Sequence, residues 1–150
     1  MKIRALLLFL VLSATVNASP LKQIHVYAEE DDEQSKKCNI DSNIVVAAVE
    51  SVFRQNRIEI RNSNQSDLLA YVNITALNIS SGCAISNDFN IYMFSFTKLP
   101  GSNRSMPTRN TFCKKGSTLT GNPANIQSRV NEQYRSFVEL CISEIERKLR

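Results

Sequence analysis

The stretch Leu68 to Thr97, LLAYVNITALNISSGCAISNDFNIYMFSFT, decides the fold class. Leu68, Ala70, Val72, Ile74 and Ala76 share one parity while Tyr71, Asn73 and Thr75 share the other, which is the period of a strand with one buried face. Ser80, Ser81 and Gly82 break that run. A second strand follows, centred on Asn90 to Thr97, with Tyr92, Phe94 and Phe96 on one face and Ile91 and Met93 on the other. Apolar residues on both parities predict a central strand covered on both sides, with the aromatics in the core. The pair reads as an antiparallel hairpin with Cys83 near its turn.

Towards the N-terminus, Ile24, Val26 and Ala28 alternate with Gln23, His25 and Tyr27 and predict a first strand over Gln23–Ala28. The acidic block Glu29, Glu30, Asp31, Asp32 and Glu33 reads as a solvated loop, because it lacks the spaced ligands and turn glycine of a calcium loop. Val45, Ala48, Val49 and Val52, widened by Ile44 and Phe53, recur at helical spacing over Asn43–Gln55. Asn39 or Asp41 is placed to cap that helix. Ile58 and Ile60 suggest a short second strand, and the polar tract Arg61–Asp67 a turn.

Towards the C-terminus, Pro100, Gly101, Pro107, Gly116 and Gly121 punctuate an irregular loop, in which Thr111–Cys113 alone has the makings of an edge strand. A long helix closes the chain. Asn122 caps it, Pro123 takes the first position, and Ile126, Val130, Tyr134, Phe137, Val138, Cys141, Ile145 and Leu149 form one stripe. Glu144 with Lys148, and Glu146 with Arg150, stand four apart in the favourable order. The order strand, helix, strand, strand, strand, helix predicts an α+β two-layer sandwich: a mostly antiparallel sheet of about four strands with two helices on one face. This order resembles that of small envelope modules such as the amino-terminal domain of TolB and the lipopolysaccharide-assembly lipoprotein. The resemblance is one of topology and transfers no residue roles. The lipid-bearing cysteine of the lipoprotein has no counterpart between Leu12 and Pro20.

Residues 1–18 read as a signal peptide: Lys2 and Arg4 open it, Ala5–Leu12 form a short apolar run, and Val16-Asn17-Ala18 ends in a cleavable small-residue pattern. Residues 19–150 then make one exported domain, periplasmic or extracellular. No later segment is apolar for long enough to span a membrane. In an oxidising compartment Cys38, Cys83, Cys113 and Cys141 pair with one another. Three pairings are open, and the preferred one joins Cys38 to Cys141 and Cys83 to Cys113. No C-x-x-C pair offers a zinc or thioredoxin-like centre.

Chemistry is thin along the chain. His25 is the only histidine and sits on the wetter parity of its strand, which removes two-histidine nuclease and histidine-rich metal chemistry. Glu50, Glu59, Asp67 and Asp88 supply carboxylates for a hydrolase, but nothing pairs them. No glycine-rich phosphate loop exists, and no cofactor is implied. The net charge of +4 shrinks once Lys2 and Arg4 leave, so nucleic acid is not an expected partner. Asn64, Asn73, Asn78 and Asn103 are N-glycosylation acceptors if the chain is eukaryotic, although its Asn and Ser content yields such triplets by chance. The expected function is that of a non-enzymatic exported module binding another protein or an envelope component through a sheet edge or the loop Pro100–Gly121. Arg104, Arg109, Lys114 and Lys115 are its candidate contacts. A secreted eukaryotic inhibitor or ligand is the alternative, and a carboxylate hydrolase the third.

Overall fold

The computed structural model describes residues 21–63, 66 and 68–148. The leader, Asn64, Asp67, Leu149 and Arg150 lie outside the described residues, and with them the expected Glu146–Arg150 pair. The elements run β1 (Gln23–Ala28), α1 (Glu33–Lys37), α2 (Ser42–Gln55), β2 (Glu59–Ile60), β3 (Leu69–Ile79), β4 (Gly82–Lys98), β5 (Ser105–Gly121) and α3 (Ile126–Lys148). They form an α+β sandwich with a five-stranded sheet in the order β2-β1-β3-β4-β5. β1 runs parallel to both of its neighbours, and the β3–β4 and β4–β5 pairs are antiparallel.

Alternation decides which side of the sheet is buried. Ile24 and Val26 of β1, Ala70, Val72 and Ala76 of β3, and Cys83, Ile85, Phe89 and Ile91 of β4 all enter one core with the helices. Val45, Val49, Val52 and Phe53 cover it from α2, and Ile126, Val130, Tyr134, Phe137, Val138 and Ile145 from α3. The valines of α2 have modest helix propensity, so burial of this stripe carries the element. Tyr134 threads its hydroxyl between two strands, donating to the Asn73 carbonyl at 2.6 Å and lying 3.2 Å from that of Asp88. Asn87 shares the inward parity and is fully buried, with neither side-chain nitrogen nor oxygen hydrogen-bonded; Ser117, its register partner on β5, also leaves its hydroxyl unpaired.

Helix ends follow local chemistry. Asp41 caps α2 through the Asn43 N–H at 2.9 Å. The acidic block, expected as a free loop, does structural work: Asp32 caps α1 through the Ser35 N–H at 2.7 Å, and Asp31 accepts from the Ser42 N–H at 3.0 Å. These contacts hold the Asp32 carboxyl below the usual carboxylate range, the Ser35 backbone N–H being the main cause. Both α1 and α2 end with a residue in the left-handed region, Asn39 at φ 54° and Arg57 at φ 61°. The Ile58 N–H returns to the Phe53 carbonyl at 3.0 Å and the Arg57 N–H to that of Arg54 at 3.0 Å, closing a Schellman turn.

Four expectations are corrected. The disulfides are Cys38–Cys83 and Cys113–Cys141, not Cys38–Cys141 and Cys83–Cys113. All four sulfurs face the core, and β5 carries Cys113 directly under α3, a placement hidden while that segment read as loop. Closing spans of 45 and 28 residues stabilises by about 3–4 kcal/mol each in the chain-entropy model. Second, Pro100–Gly121 is no irregular loop: β5 pairs with β4 from Ser105 to Gly121. Its glycines and Pro107 suit an edge strand rather than a break. Third, Phe94 and Phe96 lie outside the core, 53% and 74% exposed. Pro123 also precedes α3 instead of opening it, within a turn in which Asn122 accepts the Ala124 N–H at 2.9 Å.

Two stability effects follow. Arg57→Gly relieves the left-handed backbone and raises unfolding free energy by about 1 kcal/mol, read by urea titration. Glu144 on α3 accepts from Lys148 at 2.8 Å and Lys115 of β5 at 2.9 Å. Those two ammonium groups, Lys148 first, hold its carboxyl down at about 2, against an ordinary 4.5. A depressed carboxylate contributes stability above its unfolded value and loses it as pH falls through the folded one. Glu144→Gln therefore flattens the pH dependence of the melting temperature between about 4.5 and about 2.

Candidate binding surface on the open sheet face

The side of the sheet away from the helices carries the opposite parity, and its centre is aromatic. Tyr27 of β1, Tyr71 of β3 and Tyr92 of β4 meet there. The Tyr27 and Tyr71 rings lie 5.1 Å apart, and the hydroxyls of Tyr27 and Tyr92 are hydrogen-bonded to each other. Tyr71 donates to the Glu29 carboxylate, giving the acidic block a third fixed member. His25 stacks on Tyr27 at 6.0 Å and places Nδ1 3.0 Å from the Arg61 carbonyl. The Arg109 guanidinium, from β5, stands over the Tyr92 ring at 3.8 Å from its centroid. Burial, then the bond to Tyr92, raises the Tyr27 phenol well above its ordinary value; burial, then Glu29, pushes Tyr71 up to about 12.

A bulge marks the edge of this cluster. Ile91 is paired with Cys113 and Tyr92 with Thr111, so Phe112 is the extra residue, and the Lys148 ammonium at the end of α3 donates to its carbonyl at 3.4 Å. β3 stops pairing with β4 at Tyr92. Beyond that point the backbones of Met93–Lys98 and Ser105–Asn110 pair with each other, as a two-stranded arm closed by a turn with the Leu99 N–H on the Arg104 carbonyl at 3.0 Å and anchored at its base by Arg109 and Phe94 against the Tyr92 ring. Phe94 lies opposite Arg109 and Phe96 opposite Pro107, continuing the aromatic face of the sheet. The other face mixes hydroxyl and amide groups with Met93 and Met106, with Thr108 bonded to Thr97 at 3.1 Å and Asn110 to Ser95 at 2.8 Å. Among the described residues, four of the seven exposed large apolar side chains sit here: Phe94, Phe96, Leu99 and Met106. Residues 93–110 hold Lys98, Arg104 and Arg109 and no carboxylate.

The four expected contact cations are thereby separated. Arg104 lies at the exposed arm tip, Arg109 is committed to Tyr92, Lys114 is exposed on β5 opposite Asn90, and Lys115 is turned to the helix side by Glu144. Of the carboxylates weighed for hydrolysis, Glu50 pairs with Arg54 at 2.6 Å and Glu59 with Arg61 at 2.9 Å. Asn78 and Asn103 are exposed, Asn73 is half-buried on β3, and Asn64 is outside the described residues. Among the described residues no cluster of three or more His, Cys, Asp or Glu is placed to hold a metal, and no helix is long and apolar enough to cross a membrane. The tyrosine cluster was missed in the sequence, although the wet parity of the strands at Tyr27 and Tyr71 was its signal.

No family model and no curated protein matches the chain. Solved structures do. The PelC dodecamer from Paraburkholderia phytofirmans is 11% identical with a TM-score of 0.45, the match covering 86% of this chain and 90% of that one. A hypothetical protein from Chlamydia trachomatis is 6% identical at 0.45, covering 83% and 97%. Rare lipoprotein B from Shewanella oneidensis is 12% identical at 0.34, covering 83% and 93%. At that similarity no residue role passes from them to this chain.

The tyrosine pair makes a direct test of the cluster. A hydrogen bond to a neutral phenol opposes its ionisation, so Tyr92→Phe lowers the pH at which Tyr27 ionises, seen as an earlier step in the 295 nm alkaline titration.

Proposed function

We propose that this chain is an exported, non-enzymatic module that binds another component of the cell envelope through the β4–β5 arm and the aromatic face behind it. One observation carries the reading. Large apolar side chains concentrate on a projecting two-stranded arm that adds nothing to the core, and an element of that kind is selected for contact rather than for folding. Export is supported by the leader-like opening residues and by two disulfides, which persist in oxidising compartments. The contacts expected from sequence shrink accordingly: Arg104 and Arg109 stay in the interface, and Lys115 drops out because Glu144 neutralises it.

The test removes the arm. Tyr92 and Thr111 are register partners, so an Asn-Gly turn joining them replaces Met93–Asn110 without disturbing the core. The wild-type chain, tagged in its host, co-fractionates with the envelope; the armless variant moves to the soluble exported fraction still folded, its melting temperature lowered only by the loss of the Arg109 and Phe94 contacts to Tyr92. Equal co-fractionation of the two, or wild-type chain in the cytosol with reduced thiols, overturns the reading.

A further inference from the structure

We infer that the partner of the arm is an anionic lipid surface. The inference rests on the proposed role of the arm as a contact element and names what it touches. Apolar groups are spread around the arm: Phe94 and Phe96 face one side, Met106 is the register partner of Thr97 on the other, and Leu99 stands in the turn. A flat protein interface covers one side of a ribbon and leaves the other wet. A bilayer surrounds an inserted tip.

Charge selects the same partner. Lys98, Arg104 and Arg109 bracket those apolar groups with no carboxylate among residues 93–110, the pattern that places apolar side chains at the acyl boundary and cations at lipid phosphates. A second copy of this chain is a poorer fit, because three of the five carboxylates of its acidic block are held in place by internal hydrogen bonds, Glu29 accepting from Tyr71, Asp31 from Ser42 and Asp32 from Ser35, and it offers nothing to the apolar groups on both sides of the arm. Six residues of paired strand reach about 20 Å. Penetration is shallow all the same, since the outer backbone groups of a two-stranded ribbon must stay in reach of water or head groups. The polar side of the arm, with Ser95, Thr97, Thr108 and Asn110 bonded among themselves, suits that depth.

The experiment uses the oxidised, folded chain and sedimentation with vesicles of phosphatidylcholine containing phosphatidylglycerol. The wild type partitions onto them and does so far less onto phosphatidylcholine alone. Phe96→Ser with Met106→Ser lowers the partition coefficient at least tenfold, and Arg104→Glu lowers it about fivefold or more, the worth of one interfacial cation. Leu140→Ser, which removes an equally exposed apolar group from α3, leaves it unchanged. Wild-type chain that ignores anionic vesicles, or arm variants that bind them as the wild type does, overturns the inference. If vesicles are ignored while envelope co-fractionation still requires the arm, the contact is a protein and the proposed function stands; if co-fractionation is also independent of the arm, both fall.

Discussion

The architecture turns on a mismatch of lengths between sheet and cover. β4 has 17 residues and spans about 58 Å at the rise of an extended strand, while α3 has 23 residues and spans only about 35 Å as a helix. The inward parity of β4 is buried while the helix lies above it, at Ile85, Asn87, Phe89 and Ile91, and runs on to Met93, Ser95 and Thr97 beyond. The bulge at Phe112 and the end of α3 at Lys148 coincide with that change. Distal to it, only Arg109 and Phe94 at the base reach back, to the Tyr92 ring, so one strand pair serves the core at one end and solvent at the other.

Stability of the covered half comes from connections between layers more than from any single element. The Cys38–Cys83 bond ties the end of α1 to the start of β4, and Cys113–Cys141 ties the middle of β5 to α3. The Lys115–Glu144 pair repeats the second link nearby, on the surface. The acidic block is a third connector: its carboxylates reach a helix cap, the first N–H of α2 and a tyrosine on the open face. A run of like charges that looks solvated in one dimension is dispersed in three.

The elements with a strong period were legible from residues alone. β1 spans the expected residues, α2 differs by one at its start, and the stripe from Ile126 to Ile145 is buried along α3. What escaped was β5, because Pro107 and two glycines mask a strand whose faces are mostly wet and whose pairing is set by β4. That omission had consequences. Without β5 there was no second strand for the distal half of β4, so Phe94 and Phe96 had nowhere to go but the core, and Cys113 had no reason to meet Cys141. The surface cations were legible as residues but not as a set, since a one-residue step along β5 sends Lys114 and Lys115 to opposite sides.

The position of β1 bears on how this chain reaches its native state. Its two lateral neighbours, β2 and β3, both lie later in the sequence, with register partners between Glu59 and Val72. As the polypeptide emerges from its N-terminal end, the first strand has no ladder to join until a further stretch has appeared, and it stays an unpaired apolar segment meanwhile. The antiparallel ribbon of β3 and β4, joined by a tight turn, assembles from local contacts and offers the template on which that early strand finally docks. The β3–β4 pairing is thus independent of the amino-terminal strand, whereas that strand depends on segments that follow it.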